Sequence, residues 1–70
     1  MNKLLDPKEA GERLQALRGI RTRRGVAKEL GISYSALSNY ECGVRIPTDD
    51  VKVRIADYYG KTVQEIFYTP

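Results

Sequence analysis

Basic residues are concentrated in the middle of this 70-residue sequence. Between positions 18 and 46 there are six bases and two acids, a net charge of +4, whereas positions 1–17 sum to zero and positions 47–70 sum to −1. Four of the bases are arginines within seven residues: Arg18, Arg21, Arg23 and Arg24. A local excess of positive charge attracts polyanions, so we expect a polyanion to bind the middle of the chain.

The residues that follow this basic segment are polar but uncharged. A helix predicted over residues 34–42 keeps Leu37 for the core, and Tyr40 is also expected to pack. The outward positions are Tyr34, Ser35, Ser38 and Asn39. Short amide and hydroxyl side chains near a helix N-terminus can pair with base edges in the major groove of DNA. The alternative is that these residues are simply solvated on a surface helix.

The residues that most enzymes and metal sites need are missing. The sequence has no histidine and a single cysteine, Cys42, so neither a zinc site nor an internal disulfide is expected. No nucleophile has a base beside it, and no glycine-rich loop could bind a phosphate. We therefore expect no catalytic activity, no metal and no cofactor, and we interpret Cys42 as an incidental thiol.

The N-terminal residues carry a strong helix-capping pattern. Asp6 can act as the N-cap, Pro7 suits the first helical position, and Glu9 follows the cap by three residues. Apolar residues at helical spacing then predict a first helix over residues 7–18, which Gly19 ends.

A tight turn separates the second and third predicted helices. Thr22 can cap the second helix, and Gly31-Ile32-Ser33 leaves only a short turn before the third. This is the spacing of a helix-turn-helix, over about residues 22–42.

The C-terminal third predicts two more helices. Thr48 is expected to cap the fourth, which Gly60 closes. Thr62 and Glu65 form a capping-box pattern before a short fifth helix, and residues 68–70 are expected to fray.

Length and composition limit the class of protein. Seventy residues indicate one domain, residues 1–70, rather than two. The composition is 41% hydrophobic without a run of 18 apolar residues, which argues against both a transmembrane span and disorder. The first residues are charged and lack the apolar region of a signal peptide, so we expect a cytoplasmic location.

Several sequence segments occur together over residues 11–67. They are Gly11-Glu12-Arg13-Leu14, Leu17-Arg18, the run from Val26 to Ser33, Ala36 to Glu41, and Gly43 to Pro47. In combination they resemble the helix-turn-helix domain of the Cro and phage-repressor family. The resemblance implies an all-α, five-helix, lambda-repressor-like fold. It also implies a sequence-specific regulator of transcription that binds double-stranded DNA, specifically a repressor of phage or mobile-element type.

Matching positions imply the roles of individual residues. The implied base contacts are Tyr34, Ser35, Ser38 and Asn39. The implied phosphate contacts are Arg21, Arg23, Arg24, Ser33 and Arg45, with Arg23 the first choice and Lys28 the weakest. Arg23 departs from the family, which has a glutamine at that place, but its longer charged side chain could reach a phosphate directly. The alternative for these bases is a solvated charged face.

The resemblance also implies architectural and assembly roles. Arg18 and Glu41 are expected to form a largely buried ion pair between the first helix and the end of the third. Tyr58, Phe67 and Tyr68 are candidates for a two-fold dimer interface, although Phe67 is preferred as core. Such a homodimer would bind a palindromic operator. No membrane partner and no small-molecule effector are expected.

A protein of a different class would fit part of the pattern. An antitoxin-like interaction module could bind a protein partner through the apolar C-terminal residues and bind DNA only secondarily. A toxin gene beside the coding sequence would favour that alternative.

Overall fold

The computed structural model describes residues 3–69, which contain five α-helices and no β-strand. The helices are α1 (Pro7–Arg18), α2 (Arg23–Leu30), α3 (Tyr34–Glu41), α4 (Asp49–Tyr59) and α5 (Val63–Phe67). The predicted all-α, five-helix class is therefore confirmed, although α3 ends one residue earlier than predicted. Within the described range no helix combines the length and the apolar composition that crossing a bilayer requires.

Four of the five helices start with the predicted side-chain caps. Asp6, Thr22 and Ser33 each accept a hydrogen bond from the backbone amide three residues later, at 2.9–3.0 Å. Thr62 and Glu65 form the reciprocal capping box at the start of α5. This capping box lowers the pKa of Glu65, because the Thr62 amide donates a hydrogen bond to its charged form.

The start of α4 differs from the prediction. Thr48 occupies the N-cap position, but its hydroxyl donates to the Asp50 carboxylate at 3.1 Å and accepts no backbone hydrogen bond. Asp49 and Asp50 place negative charge at the positive end of the helix dipole. The acidic first turn therefore takes over part of the stabilisation expected from a cap.

All five helices contribute to one hydrophobic core. The largest fully buried apolar side chains are Phe67, Leu14, Leu37, Ile55, Ile66 and Val26. Helices α1 and α3 lie close together at Gly11, where a Cβ atom would lie 2.5 Å from the Glu41 carbonyl oxygen and 2.7 Å from that of Tyr40. The missing side chain thus allows α3 to lie directly against α1.

The two ends of the described chain pair with each other. The Thr69 amide donates to the Lys3 carbonyl at 2.7 Å, and the Leu5 amide donates to the Phe67 carbonyl at 2.8 Å. The prediction that residues 68–70 fray is therefore wrong for positions 68 and 69, and position 70 lies outside the described residues. Backbone hydrogen bonds and the burial of Leu5, which is only 5% exposed, hold this segment in place.

Lys52 is buried against this terminal pair, which the sequence analysis did not foresee. It is 6% exposed, and its Nζ lies 5.8 Å from the Phe67 ring and 5.6 Å from the Tyr68 ring. An ammonium group is attracted to aromatic faces at these distances. Asp49, one turn earlier in α4, lies 3.5 Å from the same nitrogen, so this ion pair stays within α4, and the two aromatic contacts are what join Lys52 to the terminal segment.

Candidate nucleic-acid interface

The turn between α2 and α3 sets the direction of α3. Gly31 has a φ of 73°, a left-handed conformation that residues with a side chain rarely adopt. The Ile32 amide donates to the Ala27 carbonyl at 3.0 Å, which closes the end of α2, and the Ser33 hydroxyl oxygen then caps α3. The chain thus passes from one helix to the next within three residues, as a helix-turn-helix requires.

The predicted base-contacting residues occupy the side of α3 that faces away from the core. Tyr34 is 45% exposed and Ser35 is exposed, whereas Ser38 and Asn39 are half-buried. The Asn39 side chain makes no hydrogen bond to any residue in the range 3–69, so both its donor and its acceptor are available. Leu37 and Tyr40 are buried on the other side of the helix, where Tyr40 packs as expected.

Arg24 and Tyr34 bring the starts of α2 and α3 together. The Arg24 guanidinium carbon lies 5.2 Å from the centre of the Tyr34 ring, a cation–π distance. Both side chains are exposed, and they belong to the two groups that the sequence analysis assigned to phosphate and to bases.

Two other predicted phosphate-contacting arginines lie further from the start of α3. Arg21 is exposed before α2, with its guanidinium 5.5 Å from the Tyr58 ring and 6.0 Å from the Tyr59 ring. Arg45 is exposed in the loop after α3 and has no ion pair in the described part of the chain. Both remain predictions as phosphate contacts.

A buried carboxylate at the end of α3 is held by two arginines. The Glu41 side chain is 0% exposed, and the Arg18 Nε lies 3.0 and 2.9 Å from its two oxygens. The Arg23 Nε lies 2.8 Å from Glu41 Oε1. The side-chain amide of Gln15 donates to the Glu41 backbone carbonyl at 2.7 Å. We call these four residues, Gln15, Arg18, Arg23 and Glu41, the Glu41 joint. It connects α1, α2 and α3.

Arg23 therefore differs from what the sequence analysis expected. Instead of extending toward solvent as the first choice for a phosphate contact, it donates to Glu41 and, at 3.3 Å, to the Ser38 hydroxyl. Its side chain is 26% exposed, and the hydrogen bond to Glu41 raises the pKa of its guanidinium. The expected Arg18–Glu41 pair is present, but it is one half of a two-arginine arrangement.

Tyr59 lies close enough to this joint for the charge of Glu41 to affect its pKa. Its hydroxyl has no hydrogen-bond partner within the described residues. Burial, followed by the negative charge of Glu41, raises the pKa of Tyr59 to about 12. The neutral phenol is therefore the form that the fold favours.

The predicted dimer residues fall in three different environments. Phe67 is 0% exposed, so its assignment to a dimer interface is wrong and its assignment to the core is confirmed. The half-buried Tyr58 donates a hydrogen bond to Glu29 of α2, which raises the pKa of the Tyr58 phenol. Tyr68 is half-buried in the terminal pair.

Two functional contacts had no clear signal in the sequence. Arg23 and Glu41 are 18 positions apart, and Arg24 and Tyr34 are ten apart, so neither pair shares one helix face. The available signal was the acid at Glu41, because a carboxylate placed among core positions requires cationic partners.

The described residues contain no group of metal-ligating side chains. No set of three or more histidine, cysteine, aspartate or glutamate side chains within residues 3–69 could hold a metal ion. Cys42 is exposed and unpaired with another cysteine, and its sulfur lies 3.8 Å from Arg23 Nη2.

A tight turn, an exposed polar helix and adjacent basic residues define a helix-turn-helix DNA-binding domain. A family model described as helix-turn-helix matches residues 12–66. The chain therefore belongs to the helix-turn-helix family of the Cro and phage-repressor type, whose members are DNA-binding regulators of transcription. Searches of curated proteins and of solved structures find no match.

Proposed function

We propose that this protein is a sequence-specific repressor of transcription that reads the major groove of double-stranded DNA with the first part of α3. The observation that supports this most directly is the placement of Tyr34, Ser35, Ser38 and Asn39. These hydrogen-bonding side chains are exposed or half-buried, and Ser35 and Asn39 lie on the side of α3 opposite Leu37, which is 1% exposed. A helix presented in this way fits the major groove, where each base pair has a distinct pattern of donors and acceptors.

Asn39 is the strongest candidate for direct base recognition. Its carboxamide has one donor group and one acceptor and is not used by the described part of the fold. An asparagine can pair in two places with adenine, through N6 and N7. Ser35 and Ser38 would add single hydrogen bonds beside it.

Phosphate contacts on both sides of α3 would set its position in the groove. Arg21 precedes α2, Ser33 caps α3 with its O–H still available to donate, and Arg45 follows α3. Contacts to the DNA backbone position the protein but do not distinguish sequences. Each would release counterions, which makes binding strongly dependent on salt.

Repression would follow from occupying a promoter as a homodimer on a palindromic operator. A two-fold axis would place two copies of α3 about 34 Å apart, one helical turn of DNA. The surface proposed for the second copy is α5 with the loop before it, near the half-buried Tyr58 and Tyr68, where an open groove of about 280 Å³ lies between α1 and α5. The groove is lined by Arg13, Ala16, Leu17, Lys61, Glu65 and Ile66. The location proposed for such a repressor is the cytoplasm, in association with the nucleoid.

Selection of bound sequences from a random duplex pool, at two salt concentrations, tests the proposal. We expect enrichment of a palindromic motif, and we expect Asn39→Ala to lose preference at one position of each half-site, with a cost of about 1–3 kcal/mol. Glu12→Ala, an exposed change on α1, is the matched control and should select the wild-type motif. A pool that stays random at both salt concentrations would refute sequence-specific regulation.

Two further measurements test the finer parts of the proposal. Sedimentation of the protein on its selected duplex should give two copies per site, and a single copy at saturation would refute the dimer. A reporter gene behind a promoter that contains the motif should be expressed less when the protein is present. Increased expression would show an activator instead.

A further inference from the structure

Arg24 and Tyr34 make a contact that the packing of the core does not require. The Arg24 guanidinium carbon lies 5.2 Å from the ring centre, and both side chains are exposed. Among residues 3–69, the Arg24 side chain makes neither a hydrogen bond nor an ion pair. It is therefore not paired with Lys28 or Glu29 on the same helix. The Tyr34 ring is therefore the group that orients the Arg24 guanidinium.

We infer that Arg24 reads a guanine base, positioned by Tyr34, rather than contacting a phosphate. This inference rests on the proposed function, because it assigns a specificity to an α2 residue beside the DNA-reading surface of α3. A guanidinium that stacks on an aromatic ring is attracted through its face and keeps its N–H donors for other partners. The commonest sequence-specific contact in protein–DNA complexes is a bidentate arginine on guanine O6 and N7.

The position of Arg24 matches that task. Tyr34 is the first residue of α3, the end of the helix that enters the groove in the proposed docking. Successive base pairs lie about 3.4 Å apart along DNA. A group 5.2 Å from the Tyr34 ring is therefore within reach of the base pair next to the one that Tyr34 meets.

Stacking also reduces the entropic cost of an arginine contact. A long side chain that becomes ordered only on binding loses rotamer freedom, whereas one already held on a ring loses less. The neighbouring Arg23 is held in the joint instead, because its Nε donates to the buried Glu41 and its Nη1 to the Ser38 hydroxyl. The two adjacent arginines of α2 thus have separate tasks, one in the joint and one at the bases.

Selection from a random duplex pool with four variants tests the inference. For Arg24→Ala we expect a guanine preference at one position of each half-site to be lost, which is about 5- to 150-fold in relative affinity. Arg24→Lys should also lose it, because an ammonium group lacks the planar fork of donors. Tyr34→Phe keeps the ring and should retain the guanine, whereas Tyr34→Leu should weaken it at the same position.

Arg45→Ala is the matched control, since it removes another exposed arginine, one that is proposed to bind phosphate. It should weaken binding to all sequences alike and reduce the slope of log affinity against log salt by about one. If Arg24→Ala behaves in this way and Arg24→Lys restores binding, Arg24 contacts phosphate and the inference is wrong. If wild type enriches no motif, the proposed function itself fails. Circular dichroism of each variant confirms that it is folded.

Discussion

The Glu41 joint and the exposed face of α3 share one helix, α3, but their polar groups have opposite surroundings. In the joint, a carboxylate with 0% side-chain exposure is paired with two arginines, and even its backbone carbonyl is bonded to Gln15. At the exposed face, Asn39 of α3 and the adjacent Arg24 of α2 have no charged partner among the described residues. Pairing stabilises the fold, whereas unpaired groups remain available for a ligand.

The contrast between paired and unpaired groups shows that charge alone does not identify a binding residue. Arg23 and Arg24 are neighbours of the same type, yet one points to a buried acid and the other lies over an exposed ring. Two of the six bases in residues 18–46, Arg18 and Arg23, belong to the joint. The positive surface available to DNA is therefore smaller than the sequence suggests.

Removing the carboxylate of the joint should have the largest effect. Glu41→Ala leaves Arg18 and Arg23 partly buried without a counter-charge, and breaking such a pair costs about 3–5 kcal/mol. Small domains have only about 5–15 kcal/mol of stability, so the variant should melt far below wild type or fail to fold. Thermal unfolding followed by circular dichroism measures this. Glu12→Ala is the exposed control, and an unchanged melting temperature for Glu41→Ala would show that the joint does not stabilise the fold.

Closing the space between α1 and α3 should have the next largest effect. In Gly11→Ala the new Cβ would lie 2.5 Å from the Glu41 carbonyl oxygen, which is backbone and cannot rotate away. Overpacking of this kind costs about 3 kcal/mol, more than the gain in helix propensity offsets. Urea denaturation gives the loss. A variant as stable as wild type would mean that the two helices can separate without cost.

Separate substitution of the neighbouring arginines should distinguish the two regions directly. Arg23→Ala removes a charged hydrogen bond to Glu41 and should cost about 1.5 kcal/mol of stability. Arg24→Ala removes an exposed contact and should change stability by less than about 0.5 kcal/mol. Urea midpoints of the two variants test the contrast. Equal losses of stability in the two variants would contradict the separation of tasks. The double variant Arg18→Ala/Arg23→Ala should lose more stability than the sum of the losses in the two single variants.

Tyr59 should give the smallest effect at neutral pH and a distinct one in alkali. Tyr59→Phe removes a hydroxyl without a partner and should raise stability by up to about 1 kcal/mol. The folded-state pKa of about 12 exceeds the ordinary 10.0, so wild-type stability should be complete below pH 10 and fall as the pH rises toward 12. The variant should lack this part of the alkaline loss.

Tyr58→Phe is the matched control for this change, because it removes a phenol that donates to Glu29. It should lower stability at neutral pH, the opposite direction to Tyr59→Phe. Unfolding curves at several pH values compare the variants. Identical alkaline profiles for wild type and Tyr59→Phe would show that burial of this hydroxyl does not couple to folding.

Most helix boundaries could be predicted because their signals are local. A cap such as Asp6 or Thr22 bonds an amide three residues away, so the spacing is visible in the sequence. The side-chain cap predicted at Thr48 is absent because the Thr48 hydroxyl donates its hydrogen bond to the nearby Asp50 carboxylate. The role of Phe67 could be predicted only in part, because an aromatic residue near a terminus suits a core and an interface equally well.

The five helices, the helix-turn-helix spacing and the basic middle segment follow from the sequence, because each depends on neighbours within one or two turns. Three arrangements depend on how the helices pack: Arg23 shares Glu41 with Arg18, Arg24 lies over Tyr34, and Leu5 is buried beneath the paired ends. Those partners are brought together by the crossing of helices and by the pairing of the chain ends. No local pattern records which of two adjacent arginines will face the core.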